Sequence, residues 1–328
     1  MRFLLDDEQR EFARSLDGML TAADTPAAAR AWADGNTGPG RALWSRLAEA
    51  GVFALAVPER HDGLGPLPVE LAVAFTELGR HAVPGPLVET VAAAAFLDRL
   101  DDTATAALLP QIASGKALVS LCVPAAGSPY ALDADTADAV LVVEGDTVRR
   151  AETAGPVQPS ADPARRLARP LGGTVLAQGP AVTAAAAHAR EVAALATAAQ
   201  SLGLGLALLD RTVEYVKQRT QFGVAIGSFQ AVKHRLADTL IALEFARPLL
   251  HSAALALAEG ADHAGAEVAA AKVTAGEAAY AAARTALQLH GAVGYTEELD
   301  LALWIRKARP LRDAWGTPAA CRARVLAS

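Results

Sequence analysis

An arginine and a glutamine stand at the two ends of a glycine-containing turn that joins two long helical patterns. The stretch runs from Arg219 to Gln230 and reads Arg-Thr-Gln-Phe-Gly-Val-Ala-Ile-Gly-Ser-Phe-Gln. A guanidinium at a helix end points away from that helix's own core, and its planar fork of donors suits an anionic group. The turn is therefore a candidate anchor for an anionic ligand or for a partner. By itself, the same stretch is more simply interpreted as an ordinary helix end followed by a Gly-containing turn.

A second glycine-rich turn follows the last long alanine-rich helical pattern. It runs from Gln288 to Glu298 and reads Gln-Leu-His-Gly-Ala-Val-Gly-Tyr-Thr-Glu-Glu. Gly291 and Gly294 are typical of a helix stop, which is the simplest interpretation of this segment.

Long amphipathic patterns lead into and out of both turns. The apolar residues before Arg219 alternate at spacings of three and four, which is the stripe of a helix packed in a bundle, and Asp210 and Glu214 lie on the opposite, solvent-facing side. Pro248 is expected to kink the next helix. Four long helices with short links predict a bundle from about residue 182 to the end. The stripe consists of Val192, Leu195, Ala199, Leu202, Leu206, Leu209, Val213 and Val216.

The rest of the chain predicts two further domains. The 328 residues are 52% hydrophobic and only 5% aromatic, which favours closely packed helices. Residues 1–116 have mostly helical periodicity. Residues 117–181 contain short β-type runs at Ala117–Val123, Ala139–Val143 and Gly173–Ala177, separated by Pro, Gly and Asp clusters. We expect a mainly α fold: an N-terminal helical domain (1–116), a small β domain (117–181) and a C-terminal four-helix bundle (182–328).

Charge and cysteine usage exclude several classes of function. The net charge of −6 gives no basic surface for nucleic acid or for an anionic membrane. The N terminus turns acidic too early for a signal peptide, and no later run is expected to approach a charge-free membrane span, so we expect a cytoplasmic protein. Cys122 and Cys321 form no Cys-x-x-Cys pair and are expected to be reduced structural thiols. The seven histidines show no ligand-like spacing, so no metal site is expected.

The chain resembles the acyl-CoA dehydrogenases. Val57-Pro58-Glu59 followed by a Gly-x-Gly turn, and the later segment from Leu109 to Lys116, are similar to that family's N-terminal domain. The two turns described above resemble the family's Arg turn and its Gln-x-x-Gly-Gly run, with Ala292 in place of the second glycine. That substitution is acceptable if the φ angle of Ala292 is negative.

The resemblance implies a site for flavin adenine dinucleotide (FAD) shared between subunits. In the family, the Arg turn contacts the diphosphate and adenosine of an FAD held by a neighbouring subunit, and the Gln-Gly run approaches the same dinucleotide. The residues that this resemblance assigns to the cofactor are Arg219, Phe222, Gly223, Phe229, Gln230, Gln288, Gly291 and Thr317.

The other half of the family's site is missing. The β domain carries no tryptophan, although the family places a Trp and a hydroxyl against the flavin ring there. The stretch Ser120–Ser128 has Cys-Val where the family's loop has Thr-Glu. The two usual positions of the catalytic glutamate correspond to Trp315 and Ala193. Asp313 and Glu191 are weak candidates for a substitute base.

These departures lead to one hypothesis and two alternatives. The chain resembles the non-catalytic subunit of heteromeric acyl-CoA dehydrogenases of actinobacterial sterol side-chain breakdown. Its partner would be a second, dissimilar subunit of the same fold, in a heterotetramer acting on a bulky acyl-CoA. The first alternative is a self-sufficient homotetramer with an unrecognised base. The second is a structural or binding protein that kept the fold and lost the flavin.

Overall fold

The computed structural model describes residues 4–100, 106–124 and 128–327. Residues 125–127, which belong to the Ser120–Ser128 stretch, therefore lie outside the described residues. The chain forms two compact units. The bundle unit comprises Met1–Ala22, Ala72–Ala82 and Thr197–Ser328, and the sheet unit comprises Ala23–Leu71 and Val83–Ala196.

Helices dominate the described part of the chain, as the composition predicts. They are α1 (Asp7–Thr21), α2 (Thr25–Ala33), α3 (Gly38–Glu49), α4 (Pro68–Arg80), α5 (Leu87–Leu100), α6 (Leu109–Ala113), α7 (Pro180–Gln218), α8 (Gln230–Glu259), α9 (Ala264–His290), α10 (Leu301–Asp313) and α11 (Pro318–Leu326). Short 3-10 turns cover Ala54–Ala56, Glu59–His61, Ile226–Ser228 and Gly291–Tyr295. The predicted C-terminal bundle is confirmed.

The sheet unit contains a four-stranded sheet in the order β1-β3-β4-β8. Strand β1 runs parallel to β3, and the other neighbours are antiparallel. Each of the three predicted β runs contains or overlaps one of these strands. Periodicity does not predict β4, because Thr147–Arg150 offers a single apolar residue and so no alternation. The strands of this unit are β1 (Val119–Cys122), β2 (Ala131–Leu132), β3 (Ala139–Glu144), β4 (Thr147–Arg150), β5 (Thr153–Ala154), β6 (Leu167–Ala168), β7 (Pro170–Leu171) and β8 (Thr174–Gln178).

A buried carboxyl group helps to hold the sheet unit together. Asp133 is fully buried and has a positive φ of 54°. Its Oδ1 accepts a hydrogen bond from the indole Nε1 of Trp32 at 2.9 Å. Burial raises the pKa of the Asp133 carboxyl to about 8, and this effect outweighs the hydrogen bond from Trp32. The side chain is therefore largely protonated at neutral pH.

Close backbone approach joins α4 to α7 within the bundle unit. A methyl group added to Gly203 would lie 1.8 Å from the carbonyl oxygen of Thr76, and one added to Gly79 would lie 2.0 Å from that of Gln200. Both distances are far below van der Waals contact. Glycine is thus required at both positions for the two helices to pack at this separation.

The expectation that no run approaches a membrane span is wrong. Residues 192–209 contain no charged side chain. Both α7 and α8 are long and apolar enough to cross a membrane by length and composition, but the apolar window of α7 is 100% buried inside the protein and that of α8 is 33% buried. Such helices are weak evidence of a membrane protein, and α7 meets the description of a core helix. Burial within this chain does not explain the exposed apolar residues of α8.

Candidate functional site

The Arg219 turn is a β-hairpin between α7 and α8. Strands β9 (Thr220–Gln221) and β10 (Val224–Ala225) pair antiparallel, and Phe222 and Gly223 form the two-residue tip. Both tip residues have positive φ, 55° and 79°, as a type I′ turn requires. A bulky residue is strained in this region, and such strain often marks a functional site. Sequence reasoning missed the hairpin, because two-residue strands carry no periodicity.

The side chains of this hairpin face solvent. Phe222 is 92% exposed and contacts Phe229 edge to face, with ring centroids 6.2 Å apart. Arg219 and Gln230 are exposed as well. The guanidinium of Arg219 forms no ion pair with any described carboxylate, although its backbone N–H donates to Tyr215 and its carbonyl accepts from Ile226. The hairpin thus presents an available cation and an aromatic pair outward.

Helix α8 begins directly after the hairpin and the 3-10 turn that follows it. Its first residue is Gln230, and Phe229 at the N-cap position makes no side-chain hydrogen bond to the helix. Ser228 does not cap the helix, because its hydroxyl donates to the carbonyl of Ala225 at 2.7 Å. The first N–H groups of α8 are left without a side-chain cap, and such groups attract anions. This helix end adds to the positive character of the Arg219 turn.

The second turn follows α9 closely. Gln288 and Gly291 are exposed, and Gly291 has φ 65° and ψ −140°, a conformation that favours glycine. Ala292 is not among the described residues with positive φ, so the loss of the second glycine introduces no backbone strain. The condition for accepting that substitution is met.

An aromatic stack places the two turns next to each other. The rings of Tyr215 and His290 lie 4.0 Å apart and nearly parallel. Nδ1 of His290 donates to the carbonyl of Ala286 at 2.9 Å, and burial lowers the pKa of the imidazole. The ring is therefore neutral at neutral pH and packs as an apolar group. Sequence reasoning missed both residues, although Tyr215 precedes Arg219 by one helical turn.

A cleft of about 760 Å³ lies between α8 and α9 and includes part of the predicted site. It contains two of the predicted residues, Gln288 and Gly291, together with two arginines that the sequence motifs do not include. The residues of the Arg219 hairpin do not line it. Its lining consists of Arg235, Ala281, Arg284, Thr285, Leu287, Gln288, Gly291, Ala292 and Tyr295.

The triplet that should hold a catalytic glutamate is rigidly anchored. Trp315 is half-buried and has a positive φ of 55°. The fully buried Lys272 donates from Nζ to the carbonyls of Leu311, Arg312 and Gly316 at 3.0–3.3 Å. Thr317 caps α11, where its hydroxyl accepts from the N–H of Ala320. These contacts assign the segment a structural role, and the assignment of Thr317 to the cofactor stays a prediction.

The candidate substitute bases have ordinary structural surroundings. Asp313 lies 3.4 Å from both Arg309 and Arg312, so its carboxylate is ion-paired. Glu191 is half-buried on α7, whereas Ala193 on the same helix is fully buried. Neither carboxylate stands alone in an apolar pocket, which is the environment that prepares a general base.

A raised carboxylate pKa is found elsewhere in the bundle unit. Burial raises the pKa of Glu77 to about 7 in spite of the neighbouring Arg80. His81 lies 2.8 Å from Asp17, and the potential metal-ligand atoms of Asp17, Glu77 and His81 are all within 4.8 Å of one another. Because the guanidinium of Arg80 lies 3.6 Å from Glu77, we interpret this cluster as an ion-pair network between α1 and α4.

One face of α8 exposes an apolar stripe. Leu240, Ile241, Phe245 and Leu249, here called the α8 stripe, are 39–69% exposed. The last three are spaced by four residues and so lie on one side of the helix. Contiguous exposed apolar residues of this kind mark interaction sites.

Comparison with known proteins identifies the family. Sequence profiles of the acyl-CoA dehydrogenase N-terminal and C-terminal domains match residues 6–116 and 183–328. The chain is 32% identical over 314 residues to acyl-CoA dehydrogenase IpdE2 of Mycolicibacterium smegmatis, covering 95% of this chain and 96% of that protein. It is 35% identical over 308 residues to IpdE2 of Mycobacterium tuberculosis, covering 92% and 91%.

A solved structure supports the same assignment at the level of fold. The ChsE4–ChsE5 complex from Mycobacterium tuberculosis matches with a TM-score of 0.83 and 24% identity, over 100% of this chain and 98% of that chain. The chain belongs to the acyl-CoA dehydrogenase family.

Proposed function

We propose that this chain is the non-catalytic subunit of a heteromeric, FAD-dependent acyl-CoA dehydrogenase. The observation that carries the proposal is the outward-facing hairpin, because the guanidinium of Arg219 is exposed and has no ion-pair partner among the described carboxylates. When bound, FAD supplies the acceptor for the hydride that leaves the β carbon of an acyl-CoA thioester. The α proton requires a carboxylate base, which we assign to the partner subunit.

The residues of this chain suit the diphosphate half of FAD. Arg219 offers a fork of donors for phosphate oxygens, and the N terminus of α8 offers N–H groups without a side-chain cap. Gln230 begins that helix, and Gln288 lies in the last turn of α9, two residues before the stacked His290. A ligand in solvent can approach four further predicted residues closely, because all four are exposed: Phe222, Gly223, Phe229 and Gly291.

The flavin-ring half does not fit this chain. Ser120 and Cys122 belong to strand β1, where both are buried. Trp315 and Ala193 stand at the usual base positions, and Asp313 is held by two arginines. We therefore assign the ring and the base to the second chain, with FAD shared between the two.

The α8 stripe and Phe222 support the existence of such a partner. Exposed apolar side chains of this number cost free energy in water and are stabilised by burial against another subunit. The ChsE4–ChsE5 structure, which matches this fold, is that of a complex. We place the assembly in the cytoplasm, with a bulky acyl-CoA as substrate, as the resemblance to sterol-degrading enzymes suggests.

The test is the visible absorption spectrum of this chain purified alone and co-purified with a dissimilar family member encoded beside it. We expect a colourless lone chain and a yellow complex with one flavin per pair of chains. Arg219→Ala should lower the flavin content of the complex, whereas Arg14→Ala, which removes an exposed arginine of α1, should not.

Two outcomes would overturn the proposal. A yellow lone chain that is bleached by an acyl-CoA would establish the self-sufficient homotetramer. A complex whose flavin content does not change with Arg219→Ala would favour a structural protein that has lost the cofactor.

A further inference from the structure

The α8–α9 cleft contains two positively charged side chains in addition to the uncharged motif residues Gln288 and Gly291. Arg235 of α8 and Arg284 of α9 both line it and are both exposed. Neither guanidinium has an ion-pair partner among the described carboxylates, although other exposed arginines such as Arg247 and Arg322 are paired. Two available arginines facing one cleft suit an anionic ligand.

The helix geometry directs these side chains to the same place. Arg284 and Gln288 are four residues apart on α9 and therefore lie on one face, and Gly291 continues that face into the 3-10 turn. Thr239 of α8 donates to the carbonyl of Arg235 at 2.9 Å and lies 3.4 Å from the hydroxyl of Thr285. This contact between the two hydroxyl groups joins α8 to α9 close to both arginines. Arg235 and Arg284 therefore lie on opposite walls of the cleft.

The position of the cleft explains why arginines are needed. The C-terminal turns of α9 carry partial negative charge, which repels an anion. A phosphate that approached Gln288 from the cleft would meet that charge unless cations compensated for it. Arg235 and Arg284 supply two full positive charges there, and the small side chains of Ala281 and Ala292 leave room.

We propose that Arg235 and Arg284 form a second anion-binding pair, which holds the adenosine-diphosphate part of the dinucleotide in the α8–α9 cleft. The proposal rests on the proposed function, since it assigns FAD to this face of the chain. Arg219 then acts from the hairpin and the arginine pair from the cleft, with the Tyr215–His290 stack between the two motifs. Tyr295, which is 65% exposed at the cleft, offers a ring for stacking against adenine.

The experiment uses the co-purified complex and measures the dissociation constant of FAD at several salt concentrations. We expect Arg235→Gln and Arg284→Gln each to weaken FAD binding by about tenfold, since each removes a charge-assisted contact. The double variant should bind more weakly still and should lose part of the salt dependence. Arg284→Lys should recover part of the affinity, because it keeps the charge without the fork. Arg14→Gln is the matched control and should change nothing.

Three results would overturn this inference, and they can be told apart. If Arg219→Ala weakens FAD binding while the cleft variants bind normally with an unchanged salt dependence, the arginine pair has no role and the proposed function stands. If the cleft variants separate the subunits but leave FAD bound tightly in the remaining complex, the arginines contact partner carboxylates. If no variant, including Arg219→Ala, alters FAD binding, the proposed function itself fails.

Discussion

Replacing Asp133 by asparagine should remove a pH dependence of stability from the sheet unit. The carboxyl is fully buried, and its pKa is raised from 3.8 to about 8. Asparagine is close in shape to the protonated acid, and its Oδ1 can keep the hydrogen bond from Trp32. It also tolerates the positive φ at this position.

The sign follows from proton binding in the two states. Between about pH 4 and 8 the folded protein retains the proton on Asp133, whereas the unfolded chain has lost it. The stability of the wild type therefore falls as pH rises through this window, by at most about 1.4 kcal/mol per pH unit. Asp133→Asn does not titrate, so its advantage over the wild type should grow across the window to the order of 5 kcal/mol and stay constant above about pH 8.

Urea unfolding followed by tryptophan fluorescence at pH 5, 6, 7 and 8 measures this difference, because Trp32 lies beside the substituted group. Asp146→Asn, at an exposed turn of the same unit, is the control and should run parallel to the wild type. Parallel profiles for the wild type and Asp133→Asn would refute the reasoning, since they would mean that Asp133 is ionised in the folded protein.

Three further predictions concern packing and assembly. Gly203→Ala should lower the stability of the bundle unit by about 2 kcal/mol or more in thermal unfolding, because the new methyl overlaps a backbone carbonyl of α4. The control is Gly18→Ala, which should not lower the stability, because a methyl group there meets nothing within 4 Å. His290→Ala removes the stack with Tyr215, which is worth about 1 kcal/mol. It should weaken FAD binding by the complex about threefold in a fluorescence titration, and an unchanged affinity would contradict this prediction. Phe245→Ser should weaken subunit association about tenfold in sedimentation experiments, yet leave the melting temperature of the lone chain unaltered, because the side chain is 69% exposed.

Much of the architecture could be predicted from periodicity alone. The stripe from Val192 to Val216 predicts a long buried helix, and α7 has the predicted course, with Asp210 and Glu214 exposed. The β runs are recognisable because apolar β-branched residues concentrate between Pro, Gly and Asp clusters. These signals are local, so a single sequence contains them. The sequence also predicts that Cys122 and Cys321 are reduced structural thiols, and both are buried and free.

The motif residues could be named from the sequence, but their relation to one another could not. Arg219 directly follows α7 and Gln288 lies near the end of α9, and only the packing of α7 against the end of α9 stacks Tyr215 on His290. Arg235 and Arg284 each look like ordinary surface arginines, since nothing in their local sequence indicates that they share a cleft. The sequence also does not predict that the α8 stripe is exposed, because the spacing of its apolar residues is the same as that of a buried helix face.

Residue type and spacing therefore determined the fold, the family and the identity of the Arg219 and Gln288 turns, because these depend on short-range periodicity and on motifs within one segment. The tertiary structure decided which side chains meet, which arginines stay unpaired and which carboxyls are buried, as at Asp133. Those properties depend on groups that come together only when distant helices and strands pack, and the free energy of each contact depends on the water that this packing excludes.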